Sequence, residues 1–200
     1  EIESAVPPSI PPLAFGLICA PRASKLCVMP PHDPPPHLAK FYPYLELLRA
    51  ESDRGAVLIS TGYMEEQLKD ILLAFMLDTP QAKELVTSGN APLGTFSSRI
   101  AACYTLGLIS EREHHDMTLL RKIRNDFAHD MHTSFETPSV VDRCKLLHHK
   151  AHDYTSEKMG EVVVNTQGQF TTAATALILN LTNRPHYVAQ RRCGYGEWKY

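Results

Sequence analysis

The sequence predicts an all-α fold, a compact multi-helix bundle between a disordered proline-rich leader and an irregular tail. Three observations support this prediction. Apolar residues recur at helical spacing through the middle of the chain, capping patterns open several of these segments, and 11 of the 15 prolines lie within residues 1–43. We therefore divide the 200 residues into a flexible leader (1–37), a helical domain (38–183) and a C-terminal tail (184–200).

The bulk composition limits the classes of function. A net charge of −2 argues against a broad basic surface that would bind phosphates nonspecifically. The five cysteines are odd in number and lack C-x-x-C spacing, so we expect reduced thiols in a cytoplasmic protein. No apolar run approaches the roughly 18 residues that span a bilayer, so we expect no membrane contact.

The helical body begins after Pro43, where the dense prolines end. Leucines at helical spacing predict one long helix, or two helices joined near Gly55 or Gly62, ending before Pro80. A short helix over residues 81–86 should follow.

Two helices are predicted in the centre of the chain from their end signals. Residues 96–106 form the first, closed by Gly107 at its C-terminus. Ser110 and Glu113 have the spacing of a capping box, which opens a second helix that runs towards His129.

The last third of the chain has weaker signals. Thr137 followed by Pro138 predicts the start of a helix that continues to about residue 149. Residues 161–165 could form a strand, and residues 170–181 are apolar enough for a last helix that covers the core.

The helix that ends at His129 separates into two stripes when each residue is set about 100° beyond the last. Leu120, Ile123 and Phe127 form the stripe that we expect to be buried. Roughly opposite lies a polar stripe, which must face water or another surface: Arg121, Asn125 and His129.

Arg124 lies between the two stripes, at the margin of the buried face. A guanidinium there needs a carboxylate because it keeps its charge. The first long helix offers Glu51 and Asp53, and Gly55 would let a neighbouring helix come close. We therefore predict that Arg124 pairs with Glu51 or Asp53, an ion pair that would fix the register of the two helices.

Four segments in this order carry a family resemblance: LLRAESDRG (47–55), APLGTFSSRI (91–100), LGLI (106–109) and IRNDFAH (123–129). Together they resemble the mannitol operon repressor family (MltR, also written MtlR), over residues 38–150. The resemblance implies an all-helical fold and a role in repressing sugar-alcohol uptake genes.

The chain shows no helix-turn-helix with a basic recognition helix, so direct reading of DNA is not expected. If the protein regulates transcription, contact through a protein partner is the more plausible route, and we expect a homodimer. Arg54, within the first matching segment, and Arg121, on the polar stripe, are the candidate binding residues.

The segment from Arg124 to His129 also resembles the R-N-x-x-x-H motif of HEPN domains, many of which are metal-independent ribonucleases that work as dimers. That resemblance implies catalytic roles for Arg124 and His129, with Asn125 orienting them. His129 would transfer protons while Arg124 stabilises the charged phosphate. A HEPN-like ribonuclease or toxin component that acts on RNA is therefore the alternative function.

Ten histidines prompt a search for metal ligands. His148 and His152 have the i, i+4 spacing that can present two ligands to one ion. We see no acidic or cysteine ligand clearly placed to complete the set, so we predict no metal site and no cofactor.

Overall fold

Most of the helices that the structure describes start at a side chain that accepts a hydrogen bond from a free backbone N–H. The computed structural model describes residues 41–198 except Gly89 and residues 157–159, so the predicted leader lies outside the described part. Five N-cap side chains accept from the amide three residues further on: Ser52, Thr79, Thr95, Ser110 and Asn165. The capping box predicted at Ser110 is confirmed, and Thr95 forms a second one with Ser98.

Eight helices and one antiparallel hairpin make up the regular structure of the described residues. In chain order they are α1 (Phe41–Ala50), α2 (Asp53–Phe75), α3 (Pro80–Thr87), α4 (Phe96–Thr105), α5 (Glu111–His129), α6 (Pro138–Lys145), β1 (Tyr154–Ser156), β2 (Gly160–Val162), α7 (Thr166–Thr182) and α8 (Arg184–Ala189). The predicted all-α bundle is confirmed, with a small hairpin in register Tyr154 to Val162 added to it. None of the helices in this described part is long and apolar enough to cross a membrane.

Helix α2 is the centre of the bundle and packs against α4, α5, α7 and α8. Its inward side chains are fully buried, as are those that α5 and α7 direct towards it. This core includes Val57, Met64, Leu68, Ile71 and Leu72 of α2, Leu120, Ile123 and Phe127 of α5, and Phe170, Leu177, Ile178 and Leu181 of α7. The buried stripe predicted for α5 is confirmed.

The first helical segment is divided at Glu51 and Ser52, not at Gly55 or Gly62. The reason is local, because the hydroxyl of Ser52 accepts from the amide of Gly55 at 3.1 Å and so starts α2. Gly62 lies exposed inside the same helix.

Helix α6 ends at Lys145, earlier than the predicted end near residue 149. The amides of His148 and His149 donate to the carboxylate of Asp116 on α5, at 2.9–3.0 Å. Because those amides have a side-chain partner, they do not extend the hydrogen-bonding of α6.

The segment predicted as a tail begins with α8 and then returns to the C-terminus of α2. Arg192 donates through Nε to the carbonyl of Ala74 at 3.1 Å, and the amide of Cys193 donates to the carbonyl of Phe75 at 2.8 Å. These bonds satisfy carbonyls that the end of α2 leaves free. From there to residue 198 the chain has no regular structure.

Two glycines offer a matched test of backbone conformation. Gly107 follows α4 with φ of +69°, whereas Gly62 is helical, and a Cβ added to either would meet nothing within 4 Å. Gly107→Ala should therefore lower the free energy of unfolding by about 1–2 kcal/mol, the cost of left-handed backbone for an L-residue. Gly62→Ala should raise it by about 0.5–1 kcal/mol. Urea unfolding measures the free energy of unfolding of both variants, which should change in opposite directions. Equal changes would contradict a left-handed backbone at Gly107.

Candidate functional site

The motif from Arg124 to His129 occupies the last two turns of α5. Arg124 and His129 are exposed, and Asn125 is half-buried beside them. The guanidinium of Arg124 donates from Nη1 to Oδ1 of Asn125 at 3.2 Å. The structure thus brings Arg124 and Asn125 into contact on the solvent side of the bundle, with His129 at the end of the same helix.

The ion pair predicted for Arg124 is not among the contacts of the described residues. Asp53 accepts a hydrogen bond from Nε2 of Gln167 on α7 at 2.7 Å. Glu51 folds over Gly55, and its carboxylate occupies the space that a Cβ on Gly55 would need. Gly55 therefore makes room for a side chain of its own segment and not for a neighbouring helix.

Arg54, the residue after Asp53, makes the contact between α2 and the end of α5. It is half-buried and donates to the carbonyls of Phe127 and Asp130, the second at 2.8 Å. The last carbonyls of a helix lack partners within the helix and carry partial negative charge, so a guanidinium is well suited to them. Arg54, which we had expected to bind a partner, caps α5.

The different contacts of Arg54 and Arg124 have a measurable consequence for stability. Arg54→Ala should lower the free energy of unfolding by about 1–3 kcal/mol, because the part-buried carbonyl of Phe127 and the exposed carbonyl of Asp130 lose their donor. Arg124→Ala should change it by less than about 0.5 kcal/mol, as is usual at the surface. Urea unfolding of both variants tests this. A larger loss of stability in Arg124→Ala than in Arg54→Ala would support the ion pair predicted for Arg124.

Asp126, inside the motif, connects α5 to α6. Its carboxylate pairs with Arg143 and accepts from the hydroxyl of Ser139 at 3.3 Å. Its carbonyl accepts from the hydroxyl of Thr133 at 3.3 Å. Of the motif's polar side chains, Asp126 thus stabilises the fold, while Arg124 and His129 stay on the surface.

Asp116 forms a second polar cluster in the first half of α5. Its carboxylate is fully buried and is contacted by Nδ1 of His115 (3.1 Å), His148 (3.0 Å) and His149 (2.8 Å). Burial alone would raise the pKa of Asp116, but hydrogen bonds from His149 and from the amides of His148 and His149 outweigh it and hold the pKa well below its usual range. In the sequence we had linked His148 to His152 and had not found this carboxylate.

A buried ion pair ties the N-terminus of α5 to the start of α8. Glu113 is 4% exposed and accepts two hydrogen bonds of 2.8 Å from Arg184, which also donates to the carbonyl of Leu108 at 3.2 Å. Burial acts to raise the pKa of Glu113, but the bonds from Arg184 and the amide of Ser110 lower it by more. Sequence reasoning assigned Arg184 to the tail and missed this pair.

The buried thiols are poor nucleophiles. Burial raises the pKa of both Cys103 and Cys144 to about 12, and thiolate is the reactive form. Cys193 is exposed, and all three are unpaired. The three thiols agree with the reduced cysteines expected from the sequence, while Cys19 and Cys27 lie outside the described residues.

Comparison with known proteins gives one structural likeness. The bundle superimposes on a chain of the X-ray structure of the MtlR–HPr complex from Escherichia coli, with a TM-score of 0.51 and 22% sequence identity. The superposition covers 74% of this chain and 97% of that one. The two chains share the MtlR-like fold. No protein-family model and no curated protein matches the sequence.

The MtlR-like fold that the four sequence segments imply is therefore confirmed, and the likeness extends over nearly the whole of the MtlR chain. A HEPN relationship is not among the findings. At 22% identity the comparison establishes how the helices are arranged. The role of each surface residue must be argued from the contacts and charges of this chain itself.

Proposed function

We propose that this chain is an MltR-like regulator of a sugar-alcohol operon that acts through contact with a protein partner. The observation that carries the proposal is the fold shared with an MtlR chain solved in complex with HPr. The net charge of −2 of this chain and the lack of a basic recognition helix in its sequence favour a protein over DNA as the direct partner. We place this regulation in the cytoplasm, in agreement with the unpaired cysteines.

The polar face of α5 is the surface that we assign to the partner. Arg124 is exposed and Arg121 is half-buried, and their i, i+3 spacing places two cations side by side on this face of the helix. Asp126, the nearby acid of this helix, already pairs with Arg143. A cationic face on a chain that is slightly acidic overall would select a partner surface rich in carboxylates.

Isothermal titration of the purified chain with Escherichia coli HPr tests both parts of the proposal. The double variant Arg121→Glu/Arg124→Glu should weaken binding about tenfold or more, because like charges would then face each other. Arg112→Glu is the matched control, since Arg112 is exposed at the other end of α5. Absence of binding by the wild type would remove HPr as the partner, and equal losses in both variants would remove this face as the interface.

A homodimer is part of the same proposal. Sedimentation equilibrium of the full chain measures its mass directly, and a monomer at all concentrations up to those used in the titration would contradict it.

A metal-independent ribonuclease is the second candidate function. It is favoured by one observation, the contact of Arg124 with Asn125 on an exposed face that ends at His129. In a dimer two such sets could flank one RNA strand. One His129 would take the proton of a 2′-hydroxyl, whose oxygen would attack the adjacent phosphorus while Arg124 stabilises the phosphate. The P–O5′ bond would break, and the His129 of the other set would give a proton to the leaving 5′-oxygen. RNA cleavage in a chelator, lost in His129→Ala, would support this function. Equal background cleavage by wild type and variant would remove it.

A further inference from the structure

The Asp116 cluster has more donors than its carboxylate can accept. Five nitrogen atoms approach its two oxygens in six contacts, three on Oδ1 and three on Oδ2, because the amide of His148 contacts both oxygens. An ionised carboxylate offers about four lone-pair sites. Two imidazole nitrogens and one amide approach Oδ1 alone, at 2.9–3.1 Å.

Ring nitrogens so close to one oxygen need either a proton or a cation between them, since their lone pairs would otherwise repel. One ligand atom each from His115, Asp116 and His148 lie within 4.8 Å of one another. Ligands at about 2.0–2.1 Å from a tetrahedral Zn²⁺ are roughly 3.3 Å apart. The separations of 3.1 Å and 3.0 Å from Oδ1 to the rings of His115 and His148 are therefore close to what the ion requires.

The charge around Asp116 also favours a cation. Within the described part of the chain, its contacts are imidazoles and backbone amides, with no Lys or Arg among them. A buried carboxylate is costly without a cationic partner. One divalent ion on Oδ1 would supply that charge and replace two of the ring contacts, which reduces the donors to what the carboxylate can accept.

We propose that His115, Asp116 and His148 bind one divalent transition-metal ion of the Zn²⁺ class. Imidazole nitrogen and carboxylate oxygen are the ligand types that Zn²⁺ accepts. His149 is a positioning residue, because its Nδ1 contacts Oδ2 at 2.8 Å and orients the carboxylate from the other side. The side chains of His115 and His148 are 42% and 45% exposed, so an ion could reach these two rings from solvent.

The ion would join the segment that follows α6 to the first half of α5. His148 follows the end of α6, whereas His115 and Asp116 belong to the first half of α5. A metal that binds only the folded arrangement stabilises it by mass action. Zn²⁺ should therefore raise the melting temperature of the full chain, in addition to binding with a stoichiometry of one.

Metal binding by the chelator-treated full chain tests the proposal, with Zn²⁺ in competition with a fluorescent chelator and Co²⁺ as the visible-absorption probe. The wild type should bind one equivalent and show the intense absorption of four-coordinate Co²⁺. His115→Ala and His148→Ala should each weaken binding by at least about tenfold. His148→Ala keeps the backbone amides that donate to Asp116, and His115 lies at the surface of α5, so both variants should keep the wild-type circular dichroism.

Two histidines outside the cluster serve as matched controls. His114 stacks on Tyr104, and His152 has the i, i+4 spacing to His148 that the sequence pointed to. His114→Ala and His152→Ala should bind Zn²⁺ as the wild type does. The proposal is overturned if the wild type binds no metal at micromolar concentrations, or if His115→Ala and His148→Ala bind as tightly as the two controls.

Discussion

Arg184→Ala should lower the free energy of unfolding by about 3–5 kcal/mol, because it leaves the buried carboxylate of Glu113 without its cation. Both oxygens of Glu113 accept from this guanidinium at 2.8 Å, the two-point geometry that Lys cannot reproduce. The carbonyl of Leu108 loses a donor as well. Urea unfolding at neutral pH measures the loss.

Arg191→Ala is the control for this prediction, since Arg191 is exposed in the same C-terminal stretch. It should change stability by less than about 0.5 kcal/mol. A loss below about 1 kcal/mol in Arg184→Ala at neutral pH would show that the pair contributes little.

The effect of Arg184→Ala should also depend on pH. The pKa of Glu113 is lowered in the folded protein, so its ion pair stabilises the fold above the unfolded pKa and is lost as the pH falls through the folded one. The difference between wild type and Arg184→Ala should therefore shrink below about pH 4, where unpaired glutamates become protonated. A difference that stays constant from pH 7 to pH 3 would assign the loss to packing instead of charge.

Arg99→Ala should cause a loss of similar size, about 3–5 kcal/mol, for a different reason. Arg99 is 6% exposed and donates to the carbonyls of Leu93, Glu65 and Val86 at 3.0–3.1 Å. The guanidinium thus joins α4 to α2, to the end of α3 and to the loop between α3 and α4. The carbonyl of Glu65 lies inside α2 and keeps its helical partner, but those of Leu93 and Val86 lie in a loop and in the last turn of α3. Each unsatisfied buried carbonyl costs about 1–3 kcal/mol.

Arg99→Lys separates charge from geometry in the same site. Lysine keeps the positive charge near Glu65 and Glu66, whose carboxylates lie 3.8 Å and 3.9 Å from Arg99. It cannot direct donors to three carbonyls at once, so we expect it to restore less than half of the loss. Arg112→Ala, at an exposed position, should leave the unfolding curve unchanged, and full rescue by lysine would contradict the role of the carbonyls.

Features set by neighbouring residues could be predicted from the sequence. The Ser110 capping box and the helix end at Gly107 depend on residues within one turn of each other, and both are as expected. The buried stripe of α5 follows from helical periodicity alone. The family resemblance over residues 38–150 implied an all-helical MtlR-like fold, which the superposition confirms.

Partners that are distant in sequence could not be predicted in the same way. We predicted that Arg124 of α5 pairs with Glu51 or Asp53, but the cation at this contact is Arg54 of α2, and its partners are carbonyls 73 and 76 positions later. Helical periodicity identifies which face of a helix is buried. The partner of a given side chain depends on the relative translation and rotation of the two packed helices. The same reason explains why Asp116 was not linked to His148, 32 positions away.

The central position of α2 has a consequence for how the chain is made. Gln67 of α2 donates to Ile178 of α7, 111 residues later, and Ala74 accepts from Arg192, 118 residues later. During synthesis the N-terminal part leaves the ribosome first, so the side of α2 that packs against α7 and α8 stays uncovered until nearly the whole domain has emerged. Stalling translation before α7 should therefore leave a nascent chain that recruits chaperones and is cut readily by proteases.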